Sequence, residues 1–370
     1  MTPVRSILLF FVLVLLVPVT VWAQVDYAAL TGSVVDAETG APLAGANVFI
    51  ASSMMGTASD SAGHFRLDRV PPGAHRLYVS MIGYEPASRD TLLRETQLYD
   101  FAIRLKPVVI ELGEVTVNAR EARRWQRQLI KFKRLFIGET DNAALTEILN
   151  PEVLSFESKW GRLTATASRP LIIENKALGY RVQYFLKEFI RSGNTIKYDG
   201  EPLYEILEPE SQEQAARWAT NRRKAFFGSF RHYMLTLLNG RWEEEGFVTF
   251  RRFSLERLYS TNDRFGVNPK RLLREGPSPQ EKELRFGGFL EVIFINEDED
   301  EAFLRWQGRA AWHAPGYQRS WMKLNDGPTL VDQSGEVIDP YGVTVYGYFA
   351  FERIADELPK EYRPDEWITP

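Results

Sequence analysis

The side chains most able to do chemistry are few. The chain holds four histidines, His64, His75, His232 and His313, and no cysteine. Thiol nucleophiles, disulfides and cysteine-ligated zinc are therefore excluded. None of the histidines stands in an HxxE, HExxH or HxxxH spacing, so a zinc site would need scattered carboxylates, and neither a metal nor another cofactor is expected. Gly-x-Ser-x-Gly, Walker and GxGxxG motifs are missing, which removes the easily read hydrolase and nucleotide classes. Residues 296–301, Asn-Glu-Asp-Glu-Asp-Glu, gather the oxygen ligands a hard cation wants. They lack a glycine-spaced D-x-D-x-D pattern, and a solvated hairpin turn between two apolar strands is the preferred reading.

Two groups of residues suggest a ligand surface. Arg217, Trp218, Arg222, Arg223, Lys224 and Arg231 crowd cations beside an indole, a chemistry suited to an anionic glycan or lipid headgroup. The plainer alternative is a solvated face paired with acids such as Glu210 and Glu213. Trp306, Trp312, Tyr317 and Trp321 offer rings for stacking on a sugar, with core packing as the competing use. The candidate surface is thus Arg217, Trp218, Arg222, Arg223, Trp306 and Trp312, with no catalytic residue named.

The elements that must position these residues are mostly strands. At 370 residues the chain has room for about two domains, and nine Trp, 15 Tyr and 23 Phe favour pleated surfaces. A net charge of -4 provides no footprint for nucleic acid, which is not expected as a partner. Residues 1–23 read as a cleaved signal peptide: Arg5 supplies the positive start, residues 7–19 the apolar run, and cleavage falls between Ala23 and Gln24. Without a cysteine to carry lipid the product is not a lipoprotein, and no later segment is apolar enough to span a bilayer.

From residue 27 to residue 106, short alternating strands succeed one another with turn residues at sandwich spacing. The motif runs Gly32-x-Val34-x-Asp36-x-x-Thr39-Gly40-x-Pro42-Leu43-x-Gly45-Ala46-x-Val48. It continues through Gly56-Thr57-x-Ser59-Asp60-x-x-Gly63-x-Phe65-x-Leu67, Pro72-Gly73 and Ile82-Gly83-Tyr84. This pattern resembles the carboxypeptidase regulatory-like domain of exported proteins in Bacteroidota-type bacteria. The resemblance implies a seven-stranded, prealbumin-like sandwich, here without the zinc peptidase that gives the family its name. Similar modules precede TonB-dependent receptors and end in a segment like Glu111-Leu112-Gly113-Glu114-Val115-Thr116-Val117. Beyond Val117 this chain has no long series of barrel strands.

Residues 119–137 read as a basic helix with Trp125, Leu129, Phe132 and Phe136 on one face. That face either lies on an anionic membrane, giving peripheral contact through residues 120–136, or packs on a neighbouring domain, which is preferred. Strands are expected at 153–157, 163–167, 171–174, 180–185, 247–251, 288–295, 320–324 and 343–349. A helix capped by Ser211 should run to about residue 239, and residues 260–281 should form a long loop. Residues 150–362 also resemble the C-terminal half of exported proteins that carry the same sandwich in front. The carrying phrases include Pro170-Leu171-Ile172-Ile173-Glu174-Asn175 and the closing run from Tyr346 to Asp356, and they bring no known activity.

The fold class expected is mainly β: a seven-stranded antiparallel sandwich (24–107), a linker with the basic helix (108–149), and a β-rich α+β domain (150–370). The function expected is a non-enzymatic binding or assembly protein of the cell envelope, periplasmic or surface-held, the outer membrane included. Its expected partner is an envelope protein or glycan. The alternative is an envelope hydrolase with a carboxylate-based site in the C-terminal domain.

Overall fold

The computed structural model describes residues 27–94, 97–108, 119–256, 263–308, 316–365 and 367. The signal segment with Ala23 and Gln24, the segment 111–117, Trp312 and His313 lie outside the described residues. The molecule is mainly β, with a sandwich first and an α+β region after it.

The sandwich consists of β1 (Ala28–Asp36), β2 (Asn47–Ile50), β3 (Gly56–Ala58), β4 (His64–Val70), β5 (Gly73–Ser80), β6 (Ala87–Leu93) and β7 (Leu98–Leu105). Two sheets, β4-β1-β7 and β3-β2-β5-β6, face each other across Leu30, Val34, Val48, Phe65, Leu77 and Ile103. One pairing departs from the antiparallel expectation: β1 and β7 run parallel, from Ala29 beside Leu98 to Asp36 beside Leu105. The motif residues are structural. A Cβ on Gly32 would stand 2.1 Å from the Phe101 carbonyl oxygen, so only glycine fits. Asp36 accepts from the amides of Glu38 and Thr39 at 2.8 Å each and from the Tyr84 hydroxyl at 2.9 Å, pinning the first turn.

After the linker, α1 (Ala119–Phe136) packs its apolar face inward, with Leu129, Phe132 and Phe136 buried. It lies on a sheet of β8 (Thr146–Ile148), β9 (Leu154–Lys159), β10 (Arg162–Ala167), β11 (Leu171–Asn175), β12 (Tyr180–Ser192) and β13 (Thr195–Ile206). The idea that this face lies on a membrane is therefore overturned: Phe132 meets Phe189 edge-on at 4.9 Å and Phe136 meets Tyr184 at 5.0 Å. β12 is the spine, pairing β11 with one end, β10 with the other and β13 along its length. β13 was not foreseen, because Asp199-Gly200-Glu201-Pro202 in its middle reads as a turn.

The expected helix at 211–239 is two helices, α2 (Gln212–Phe226) and α3 (Phe230–Asn239). Gly228 at φ +77° breaks the run, and the Ser229 hydroxyl restarts it by accepting from the His232 amide at 3.1 Å. Beyond α3 come β14 (Phe247–Arg252), β15 (Phe265–Gly266), β16 (Leu273–Glu275), β17 (Glu281–Leu284) and β18 (Phe289–Asp298). They are followed by α4 (Glu301–Trp306), β19 (Tyr317–Leu324), β20 (Thr329–Asp332), β21 (Val343–Gly347) and α5 (Tyr348–Phe351). Sheets β15-β14-β18-β19-β21 and β16-β17-β20 enclose a core around Tyr233, Leu237, Phe247, Val292 and Met322. The expected long loop at 260–281 thus contains short strands. The acidic run is not a hairpin turn either: its first half continues β18, and Asp300 caps α4 by accepting from the Phe303 amide at 2.8 Å.

The sandwich docks on the second sheet. Phe49 and Tyr78 on its outer face pack against Phe185, with the Phe49 and Phe185 rings 4.9 Å apart, and Ser53 forms a bridge with Leu203. Arg76 reaches Glu201 at 3.2 Å.

Candidate functional site

The expected cationic surface is largely spent on the fold. Trp218 is buried, and its indole N–H donates to the Lys176 carbonyl at 2.8 Å. Arg222 donates to the Leu178 carbonyl at 2.6 Å while its guanidinium lies 4.3 Å over the Tyr180 ring. Together they clamp the β11–β12 hairpin onto α2. Arg223 sits over Phe227 at 5.0 Å, and exposed Arg217 pairs with Glu213 one turn away at 2.8 Å. Arg231, counted among the surface cations, is instead a half-buried clamp. It donates to the carbonyls of Ser334, Leu358, Pro359, Lys360 and Tyr362 at 2.5 to 3.4 Å. Trp321 is buried, whereas Trp306 remains 40% exposed and opens onto a large cavity.

That cavity, of about 590 Å³, lies where β12, β13, the α2–α3 junction, β21 and the segment after α5 converge. Three features of the chain build it. The bend at Gly228 turns Phe230 and Arg231 toward it, Arg231 draws residues 358–362 across its side, and Gly347 at φ +70° ends β21 so that α5 can deliver Glu352. Aromatic faces come from Tyr198, Trp306, Tyr341, Tyr346 and Phe349, and carboxyls from Glu336, Glu352, Asp356 and Glu357. The chain thus places rings and acids in one chamber.

Glu352, Asp356 and Glu357 are half-buried and line the cavity, while Glu336 is more open. Burial pushes Glu357 up to about 7, with repulsion from Glu336 adding to the shift, although the Tyr198 hydroxyl donates to its Oε1 at 3.4 Å. Burial likewise raises Asp356 to about 6, against hydrogen bonds from Asn142 at 2.9 Å and Thr140 at 3.0 Å. Glu352 is held well above the usual carboxylate range, first by burial and then by Asp356. Carboxyls in this state accept and donate hydrogen bonds near neutral pH. Among the described residues no three His, Asp or Glu side chains are grouped to hold a metal ion.

A second cleft of about 300 Å³ runs between the sandwich and β13, past His75, Arg76 and Glu201. The two share Ser52, Gly200 and Glu336 as a common wall. Ser52, at φ +60°, donates to Glu336 Oε1 at 2.6 Å, and Lys360 meets Glu336 Oε2 at 2.5 Å and Asp332 at 3.2 Å. Burial opposes the Lys360 charge, but Glu336 and Asp332 outweigh it and hold that lysine above its usual range. His232 plays a structural part. It is fully buried, accepts from the Gly228 amide at 3.1 Å, and is pushed down to about 3 by burial.

Sequence reasoning missed Tyr198, Glu336, Glu352, Asp356 and Glu357. The usable signal was the run from Tyr346 to Asp356, where aromatic and acidic residues are unusually dense.

Residues 30–117 match the CarboxypepD_reg-like domain, the family whose motif they carry. No curated protein matches the chain. Among solved structures, the minor pilin GBS52 of Streptococcus agalactiae is 18% identical over 25% of this chain and 49% of its own, with a TM-score of 0.20. The chain therefore spans about half of that pilin. A cohesin–X-dockerin complex from Acetivibrio cellulolyticus is 16% identical over 31% of this chain and 78% of its own, at 0.20. A candidate carbohydrate binding protein from Bacteroides uniformis is 10% identical over 44% and 60%, at 0.19. Similarity this slight says nothing about what the chain binds.

Proposed function

We propose that the chain is an exported, non-enzymatic binding protein of the bacterial cell envelope. In this reading a sandwich (24–107) is joined to a ligand-holding unit that takes in α1 and β8 of the expected linker (108–149) together with residues 150–370, and its central cavity takes a neutral, hydroxyl-rich ligand the size of a mono- or disaccharide. The observation that carries it is the pairing, within about 590 Å³, of aromatic faces with carboxyls raised toward neutrality. The volume suits a small ligand. Ring faces cover the C–H faces of a sugar, and a carboxyl raised to about 7, as at Glu357, satisfies hydroxyls that both donate and accept. Among the described residues no helix is long and apolar enough to cross a membrane, so attachment by contact rather than by a helical anchor is part of the proposal. Calorimetric titration with neutral and acidic oligosaccharides tests it: saturable binding of neutral sugars without turnover is the expected result.

One observation favours a second reading. Glu357 near 7 and Asp356 near 6 both line the cavity with carboxyls raised in the direction a general acid requires, the carboxylate chemistry a glycoside hydrolase uses. Release of new reducing ends, lost in Glu357→Gln, would select this reading over the first.

A further inference from the structure

The hairpin joining β9 to β10 has a two-residue turn. Lys159 pairs with Arg162, leaving Trp160 at φ +52° and Gly161 at φ +76°. Two consecutive left-handed residues are the geometry of a type I′ turn, whose first position favours Asn, Asp or Gly. A tryptophan there is conformationally disfavoured, and this one is also 93% exposed. Neither feature helps the chain fold, so the indole at this tip calls for a purpose outside the fold.

The surface beside it is cationic. α1 lies along the hairpin: Arg124 donates to the Ser158 carbonyl at 3.2 Å and Gln128 to the Ser158 hydroxyl at 2.9 Å. Across the turn, Arg191 donates to the Gly161 carbonyl at 3.4 Å. With Leu129, Phe132 and Phe136 turned inward, the opposite face of α1 presents Arg120, Arg123, Arg127, Lys131 and Arg134 at helical spacing, with Arg124 on the flank toward the hairpin. Exposed Ile130 lies among them. The helix holds seven cations and one acid, Glu121. Burial and the nearby charges of Arg191 and Arg134 lower Lys131 from its usual range. The acids Glu139 and Glu188 stand 3.9 Å from Arg134 and Arg162, at the edges of the patch.

We infer that the outward face of α1 and Trp160 form a docking surface for an anionic phospholipid bilayer, with the indole at headgroup depth and the arginines on the phosphates. A helix face crowded with cations and bearing one exposed Ile130 complements a surface rich in negative charge, and an interfacial tryptophan beside it distinguishes a bilayer from a polyanion in solution. This contact is the reverse of one made through the apolar face of α1, which the sheet already covers.

The test uses the full chain with vesicles of phosphatidylglycerol and phosphatidylcholine, against phosphatidylcholine alone. Binding is read by co-sedimentation, and depth by quenching of tryptophan emission with brominated lipid. The expected result is binding confined to the anionic vesicles and weakened at least about tenfold by ~0.5 M salt, an effect of screening. Trp160→Asn, whose new side chain suits the turn, should fold as well as the parent yet lose most of the quenching. Arg123→Glu with Arg127→Glu should weaken binding at least about tenfold. Equal binding to both vesicle types, unchanged quenching in Trp160→Asn, or binding to dextran sulfate in solution with none to vesicles would each overturn the inference.

Discussion

Ser52, in the loop between β2 and β3 of the sandwich, donates its hydroxyl hydrogen to Glu336 of the C-terminal region at 2.6 Å, across 284 residues of sequence. The same residue gives its amide to the Pro202 carbonyl and receives the Lys360 amide on its own carbonyl, both at 2.8 Å. Through Ser52 the sandwich becomes part of the cavity wall. Its left-handed φ of +60° is a local cost that the three contacts sustain.

The substitutions at this position should therefore rank. Ser52→Ala keeps the strain and loses the hydrogen bond, and should lower stability by about 1–2 kcal/mol. Ser52→Gly loses the bond but relieves the strain, so its loss should be smaller. Thermal unfolding of the two variants checks the order, and a glycine variant less stable than the alanine one would contradict it.

Glu291 is fully buried in β18 and accepts from Arg252, also fully buried, at 2.5 Å and from Arg264 at 2.6 Å. Removing the carboxylate leaves these guanidinium groups facing each other. Glu291→Ala should cost about 3–5 kcal/mol in denaturant unfolding. A loss under about 1 kcal/mol would mean that the cluster contributes little.

Glu357 gives a pH dependence with a definite sign. Its unfolded reference is 4.5 and burial raises it to about 7 in the fold. A raised carboxyl contributes stability that is complete below the unfolded value and is lost as pH rises through the folded one. Asp356 acts in the same direction between 3.8 and about 6. Glu357→Gln should match the parent near about pH 4 and exceed it by about 1–2 kcal/mol at about pH 8. Melting curves across that interval decide it, and parallel pH profiles would contradict the assignment.

The cationic face of α2 divides by role. Arg222→Ala removes two backbone contacts and the stack on Tyr180, and should destabilise the chain by about 1–3 kcal/mol. Arg217→Ala should change stability by less than about 0.5 kcal/mol, because its pair with Glu213 is exposed. Neither should alter ligand affinity in titration. A fall in affinity for Arg217→Ala would restore the ligand surface that its charge suggested.

How far each feature was legible in the sequence depends on the range of the interactions behind it. The sandwich was legible because Gly32, Asp36 and Gly63 serve turns and close approaches within a few residues or one strand pair. Helix α1 was legible because its face repeats at about 3.6 residues. The break between α2 and α3 was not, since one glycine within an apolar stripe is compatible with a continuous helix, and Gly228 is held by packing against Gln318 and Phe294. The cavity was hidden for a stronger reason. Tyr198, Glu336 and Glu357 come from separate stretches of chain, and only the pairing of β12 with β13 and the Arg231 clamp bring them together. The indole of Trp218 invited a surface role that the Lys176 carbonyl had already taken.

Trp306 is the most direct probe of a ligand held in the cavity, because it is exposed and opens onto that space. Titration of the purified parent, Trp306→Ala and Glu352→Gln with the tightest neutral oligosaccharide should show affinity lowered at least about tenfold in both variants. Near neutral pH Glu352→Gln should melt no lower than the parent, because burial disfavours its carboxylate, and Trp306→Ala, which gives up ring contacts with Phe303 and Phe351, should still melt cooperatively at a somewhat lower temperature. Affinity unchanged in both variants would place the ligand elsewhere and contradict the account.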